Sequence, residues 1–269
     1  SVYSSTTSTD NDAFITQTGE NNSSNVRQDF QNGSALATVD QTNAAGGALN
    51  TATVSQVSLG FAAAPPQFAL GADAAIRQDG EGNESTITQT GFAATAALSN
   101  EAINNQLGDN NQSFIDQSGI EGFAEVIQAG DNNASDVIQS AGNGSAEIMQ
   151  TGNENDSFVT QSASNATAKV TQTTVESGNG PRIRGNDGRD DAMGDTIRSN
   201  FSNIVQSAIG SSAEVTQEGD LNRSEVNQNG TGGAEAEVSQ TGIFNNSQID
   251  QTADSFAKVT QGGDYGDNN

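Results

Sequence analysis

The chain has 269 residues, 32% hydrophobic and 5% aromatic, with a net charge of −25 and neither Cys nor His. This balance excludes disulfides, thiol or imidazole chemistry and an ordinary zinc site, and it repels nucleic acid and anionic membrane surfaces. No apolar run reaches the length of a transmembrane helix, and the start at Ser1, without methionine or a signal-like segment, implies that any secretion signal has been removed.

Composition alone suggests a disordered polar chain. The order of the residues argues otherwise. Residues 1–12 form an N-terminal segment without a motif, and from 13 a glutamine begins to recur, mostly every eleven residues. A first block of repeats, 13–56, holds Gln17, Gln28, Gln41 and Gln56. An insertion follows at 57–71, VSLGFAAAPPQFALG. The second block, 72–172, holds Gln78, Gln89, Gln106, Gln117, Gln128, Gln139, Gln150, Gln161 and Gln172. A longer insertion, 173–199, reads TTVESGNGPRIRGNDGRDDAMGDTIRS. The third block, 200–263, holds Gln206, Gln217, Gln228, Gln240, Gln251 and Gln261, and a tail of 264–269 closes the chain. Such fixed self-similarity points to a repeat architecture.

Two residues before each glutamine lies Val or Ile, with Asn104 the exception, and four residues before it lies Ala or Ser. Small, β-branched and amide residues at alternate positions share a face only in a strand. The positions between them are mostly polar, for example Lys169 and Thr171, so one face is inward and the other wet. A glycine two residues after many of the glutamines supplies turn chemistry. The Ala/Ser position alternates, broken only at Ala52, which doubles the period to about 22 residues. Six residues before the glutamine of every second strand stands an asparagine: Asn22, Asn50, Asn83, Asn111, Asn133, Asn155, Asn200, Asn222 and Asn245.

A two-strand unit repeated in this way predicts an all-β, parallel, in-register β-solenoid of about ten rungs, spaced by ~4.8 Å. Strand one stacks on strand one and strand two on strand two. The glutamines and asparagines then form internal ladders, because an amide both donates and accepts and so bonds to identical copies along an axis. A carboxylate column would repel itself. First-type strands number ten and second-type strands nine, so end-to-end stacking leaves one second-type slot, which residues 1–10 are expected to fill as a degenerate half-rung.

The unit Q-x-G-x-x-N-x-[AS]-x-[VI]-x-Q, as in QAGDNNASDVIQ (128–139), QTGNENDSFVTQ (150–161) and QEGDLNRSEVNQ (217–228), resembles the curlin repeat of bacterial curli. The resemblance covers about 13–263. It implies a secreted functional amyloid: a solenoid subunit that polymerises with itself into extracellular, cell-surface cross-β fibres of a biofilm matrix. It also implies a nucleator subunit and an outer-membrane secretion pore as partners. With nine and a half repeats and two insertions the chain departs from the familiar pattern of about five.

Three function classes follow. The favoured one is a structural fibre subunit, not an enzyme, with no cofactor, no metal site, no nucleic-acid partner and no membrane insertion. The alternative is a monomeric secreted solenoid used for binding, such as an ice-binding or adhesive protein. Ice binding needs a regular outward threonine array, whereas the row before the first-type glutamines includes Thr16, Asp40, Arg77, Asn105, Ile127, Met149 and Thr171. A polysaccharide-acting β-helix enzyme needs convergent carboxylates or basic groups in a groove, and the acids here are scattered. Within the insertions, Asp187, Asp190, Asp191 and Asp195 lack the spacing of known calcium loops, and a solvated loop is the preferred reading. Arg182, Arg184, Arg189 and Arg198 are expected to pair locally, and Phe61 and Phe68 to pack on their own subunit. Outward Phe14, Phe114 and Phe158 are read as surface aromatics without chemistry.

Overall fold

The computed structural model describes residues 2–4, 10–30, 33–58, 70–91, 99–174 and 200–264. Strands follow one another in chain order: β1 (Val2–Ser4), β2 (Asp10–Thr18), β3 (Asn22–Phe30), β4 (Gly33–Thr42), β5 (Asn50–Ser58), β6 (Leu70–Asp79), β7 (Glu84–Gly91), β8 (Ser99–Leu107), β9 (Gln112–Gln117) and β10 (Phe123–Ala129). The second half continues with β11 (Ala134–Gln139), β12 (Ser145–Thr151), β13 (Asp156–Gln161), β14 (Thr167–Thr173), β15 (Asn200–Gln206), β16 (Ser212–Asp220), β17 (Asn222–Thr231), β18 (Glu235–Ile243), β19 (Asn246–Ala253) and β20 (Phe256–Asp264).

Each strand pairs in parallel with the strand two ahead, so odd strands make one ten-stranded sheet and even strands another. The chain therefore winds as a parallel β-solenoid, as its 22-residue period requires. Pairing is set by the motif: Ala124, Val126 and Gln128 of β10 face Ala146, Ile148 and Gln150 of β12. Ser135, Val137 and Gln139 of β11 face Ser157, Val159 and Gln161 of β13. A one-residue slip would turn every inward side chain outward, which is why alternation this strict fixes the register.

The core is a thin column between the sheets. Ala37, Ala124, Val126, Val137, Ile148, Val159, Ile204 and Val226 are among its fully buried members. Ala13, Ile15, Ala257 and Val259, at the two ends of the even sheet, are only partly buried against it.

The turns explain the glycines. Gly108, Gly130, Gly219 and Gly242, each two residues after a first-type glutamine, have φ between +108° and +117°. A Cβ on Gly130 would lie 2.2 Å from the carbonyl oxygen of Gly152 in the next rung. Glycine is thus required twice over, by its backbone angle and by the close approach of stacked turns. The residue just before each arc closes also adopts left-handed angles, among them Asn110, Asn132, Glu154, Leu221 and Phe244, so non-glycine residues carry this second positive-φ position.

Both sheets continue in register across the insertions. β13 pairs β15 and β14 pairs β16 on either side of the longer one, and β4 pairs β6 around the shorter. Strands reach into the edges of both insertions, since β5 runs to Ser58, β6 begins at Leu70 and β14 runs to Thr173. Pro65, Pro66, Pro181, Phe61, Phe68, the four arginines 182–198 and the four aspartates 187–195 lie outside the described residues.

Candidate functional site

Two features of the molecule bear on function: the amide columns inside the coil and the strand edges at its two ends.

Each glutamine is carried on the inward face of its strand by the alternation described above, and Gln28, Gln41, Gln56, Gln78, Gln106, Gln128, Gln150, Gln206 and Gln228 are at most 1% exposed. In the even sheet the side-chain amide of Gln17 donates to Gln41 Oε1 at 2.7 Å, Gln41 to Gln78 at 2.7 Å and Gln78 to Gln106 at 2.9 Å. The chain of bonds continues through Gln128, Gln150, Gln172, Gln217 and Gln240 to Gln261. The odd sheet repeats it from Gln28 through Gln56, Gln89, Gln117, Gln139, Gln161, Gln206 and Gln228 to Gln251. Neither column is interrupted at an insertion.

The same nitrogen makes a second bond that the spacing did not reveal. Gln128 Nε2 donates at 2.9 Å to the carbonyl of Gln112, and Gln139 Nε2 at 2.9 Å to that of Phe123. Because Gln112 and Phe123 belong to the opposite sheets, each glutamine fastens its own column and ties the two sheets together. A buried amide so satisfied costs little, whereas one without partners would cost about 1–3 kcal/mol.

The asparagines form a third column. Asn133 Nδ2 donates to Asn111 Oδ1, Asn155 to Asn133, Asn200 to Asn155, Asn222 to Asn200 and Asn245 to Asn222, all at 2.9–3.1 Å. Asn50 reaches Asn22 at 3.3 Å. The backbone N–H of Asn83 and of Asn111 also donates to the preceding asparagine side chain, Asn50 and Asn83 respectively. Several second amide hydrogens reach a turn carbonyl, as Asn111 does to Gly130 at 2.7 Å and Asn133 to Gly152 at 2.8 Å.

Asn104 occupies a Val/Ile position of the even sheet, 1% exposed, and its Nδ2 meets Ser85 Oγ at 2.5 Å. Its Oδ1 has no hydrogen-bond partner. On the outer face of the odd sheet, the Phe158 and Phe201 rings lie 5.8 Å apart and the Arg223 guanidinium stands 4.5 Å over the Phe201 ring. Phe158 is therefore part of an aromatic and cationic cluster that alternation could place outward but could not assemble. Asp116, on the same face, is aligned with Thr88 and Ile138, and burial pushes its carboxyl above the ordinary value. Among the described residues no group of three or more Asp and Glu is arranged to hold a metal ion.

At the ends, β1 and β2 close the coil on one side and β19 and β20 on the other. β1 pairs in parallel with β3, aligning Val2 with Val26 and Ser4 with Gln28. The N-terminal segment thus contributes a half-rung to the odd sheet, with serine at the glutamine position, and both sheets reach ten strands.

The family model described as the curlin associated repeat matches residues 145–173. These residues span β12, β13 and β14, one complete turn of the coil with the first strand of the next. The chain is curlin-like there, and the same inward Ala/Ser, Val/Ile and Gln pattern runs through the other rungs. No curated protein matches the chain.

Proposed function

We propose that this curlin-like chain is the structural subunit of an extracellular, secreted fibre, assembled end to end by strand stacking, which supports adhesion and aggregation of cells in a biofilm matrix. The observation that carries the reading is the equivalence of the two ends. Among the described residues each sheet has ten strands, its first and last strands are edges, and in the even sheet both edge strands carry the interior motif: Ala13, Ile15 and Gln17 in β2, Ala257, Val259 and Gln261 in β20. An uncovered edge with unpaired backbone groups is a template for another strand. Here the matching strand is offered by the opposite end of a second copy.

Stacked in this way, a subunit of ten rungs adds ~48 Å of fibre at ~4.8 Å per rung. The acidic outer surface keeps unassembled chains apart, since net charge far from zero opposes non-specific association. A nucleating subunit and an outer-membrane pore belong to the same proposal, supported by the curlin resemblance alone. A monomeric binding solenoid is the less favoured reading because the outward rows carry no uniform side chain along the coil.

The test is seeded growth. Purified protein with sonicated fragments of its own fibres should elongate without a lag, and negative-stain microscopy should show unbranched fibres. A protein that stays monomeric with and without seeds refutes the fibre reading and leaves the monomeric one.

A further inference from the structure

We infer that the outer face of the even sheet carries an end-specific recognition set, Phe256 and Lys258 at one end and Asp12 and Phe14 at the other, which selects a second copy of this chain in register. The inference rests on the end-to-end reading above and names the side chains that would make the junction specific.

Phe14 and Phe256 are each 60% exposed. They are the two phenylalanines among the exposed large hydrophobic residues described, and they sit at opposite ends of the same sheet, in β2 and β20. Both point to the outer face, Phe14 three residues before Gln17 and Phe256 five before Gln261. An apolar ring left in water at each end of a solenoid is what a shared junction would cover.

The register of the junction follows from the register on either side. β18 and β20 align Gln240 with Gln261, and β2 and β4 align Gln17 with Gln41. Continuing both sets Gln261 of one copy against Gln17 of the next, Val259 against Ile15, Lys258 against Phe14 and Phe256 against Asp12. Lys258 is already held on this face by Glu237, Nζ to Oε1 at 2.5 Å. Its stem would lie along the Phe14 ring and its ammonium within reach of the diagonal Asp12 carboxylate, giving cation–π, apolar and charge contacts in one patch.

The same set rejects wrong pairings. Two like ends brought together would have to pair their strands antiparallel, unlike every pair in the coil, and would gather two Lys258 or two Asp12 side chains in one patch, so head-to-tail contact is the complementary one. The glutamine column agrees, because every bond in it donates towards the C-terminal end and Gln17 Oε1 accepts from no described residue within the subunit.

The experiment measures the monomer left in solution when full-length protein has finished growing on seeds, a direct readout of junction strength. Position 14 is exposed, so its variants should keep the wild-type circular dichroism as monomers, and this is checked first. Phe14→Lys, which sets lysine against Lys258, should raise the residual monomer about tenfold, the combined effect of a lost cross-strand pair and a like-charge one. Phe14→Glu loses the same ring but faces Lys258 with a carboxylate, and should stay within about threefold of wild type. Phe14→Lys combined with Lys258→Gln, which removes the facing cation without setting a carboxylate against Glu237, should return towards wild type. Equal behaviour of the Lys and Glu variants, or no recovery in the double variant, overturns the recognition set while leaving end-to-end assembly standing. Wild-type protein that never assembles overturns the assembly reading itself and this inference with it.

Discussion

Replacing Gln128 and Gln150 together by glutamate tests the amide columns at their centre. Both side chains are 0% exposed and stacked, Gln128 Nε2 donating to Gln150 Oε1 at 2.9 Å. Gln128 also donates to the Gln112 carbonyl and accepts from Gln106, while Gln150 donates to the Ala134 carbonyl and to Gln172. An ionised glutamate donates nothing, so at least four acceptors lose their donor, at about 1 kcal/mol each. The charge costs more. Full burial raises a carboxyl pKa by roughly 3–5 units, and at ~1.36 kcal/mol per unit this is about 4–7 kcal/mol for each residue at neutral pH, before their mutual repulsion. The sum equals or exceeds the ~5–15 kcal/mol that holds an ordinary domain together. Because the folded pKa is raised, the penalty is complete above it and fades as pH falls towards the unfolded carboxyl value near ~4.3. A protonated acid also regains one donor. The variant should therefore be unfolded and non-assembling at pH ~7 and recover β-structure and growth at pH ~4, followed by circular dichroism and sedimentation. Gln112→Glu, at an exposed side chain, adds one of the two charges outside the core as a control and should cost no more than ~1 kcal/mol, the repulsion from Glu84 across the strand pair included. Wild-type folding of the double variant at neutral pH would refute the internal columns.

Gly130→Ala should lower stability by several kcal/mol, seen as a reduced urea midpoint, because the new Cβ would sit 2.2 Å from the Gly152 oxygen at φ +117°; an unchanged midpoint would contradict the stacked turn. Asp116→Asn should stabilise the fold modestly at pH ~7, since burial raises the Asp116 pKa, and the gain should vanish at pH ~3, where aspartate is protonated in both states; a gain that persists in acid would point to another cause. Deleting 175–199, beyond the last strand bonds of Thr173 and Thr174, and closing the gap with a short Gly/Asn turn should leave fibres that still elongate, because Gln161 meets Gln206 and Gln172 meets Gln217 at 2.9 Å on either side of it; lost growth would place the insertion in the junction.

What the sequence made legible is what repeats. A residue type that returns every eleven positions identifies its face, its partner in the next rung and the parallel register, as with Val126 on Ile148. What stayed hidden depends on contacts between unlike positions. The bond from Gln139 to the Phe123 carbonyl joins the two sheets and has no signature beyond the glutamine itself. In the Phe158, Phe201 and Arg223 cluster, Phe201 and Arg223 share one motif position and face each other in register, but Phe158 joins them from a diagonal position on a third odd-sheet strand. Asp156 lies on the nominally wet face yet is 1% exposed, which alternation alone would not suggest. Asn104 was visible as an exception, but only the structure shows the reason it is tolerated, its bond to Ser85 across the core.

The two kinds of amide column also bond differently, and this bears on how a coil so poor in apolar residues holds together. Glutamine-to-glutamine bonds donate towards the C-terminal end, as from Gln128 to Gln150, whereas the asparagine amide donates both ways, from Asn133 back to Asn111 and forward to the Gly152 carbonyl. Each column polarises its own bonds along the axis, strengthening them in a low-dielectric interior. A glutamine stands in both strand types, while the asparagine ladder stands at one of the two arcs. There the asparagine Oδ1 takes a backbone N–H of the following rung, Asn83 to Asn50 and Asn111 to Asn83, at the point where the strand begins and its ladder has not yet formed. Glutamine ladders thus fasten the sheets to each other, while the asparagine ladder closes the backbone at the turn, and a rung gains both only when another rung lies beside it.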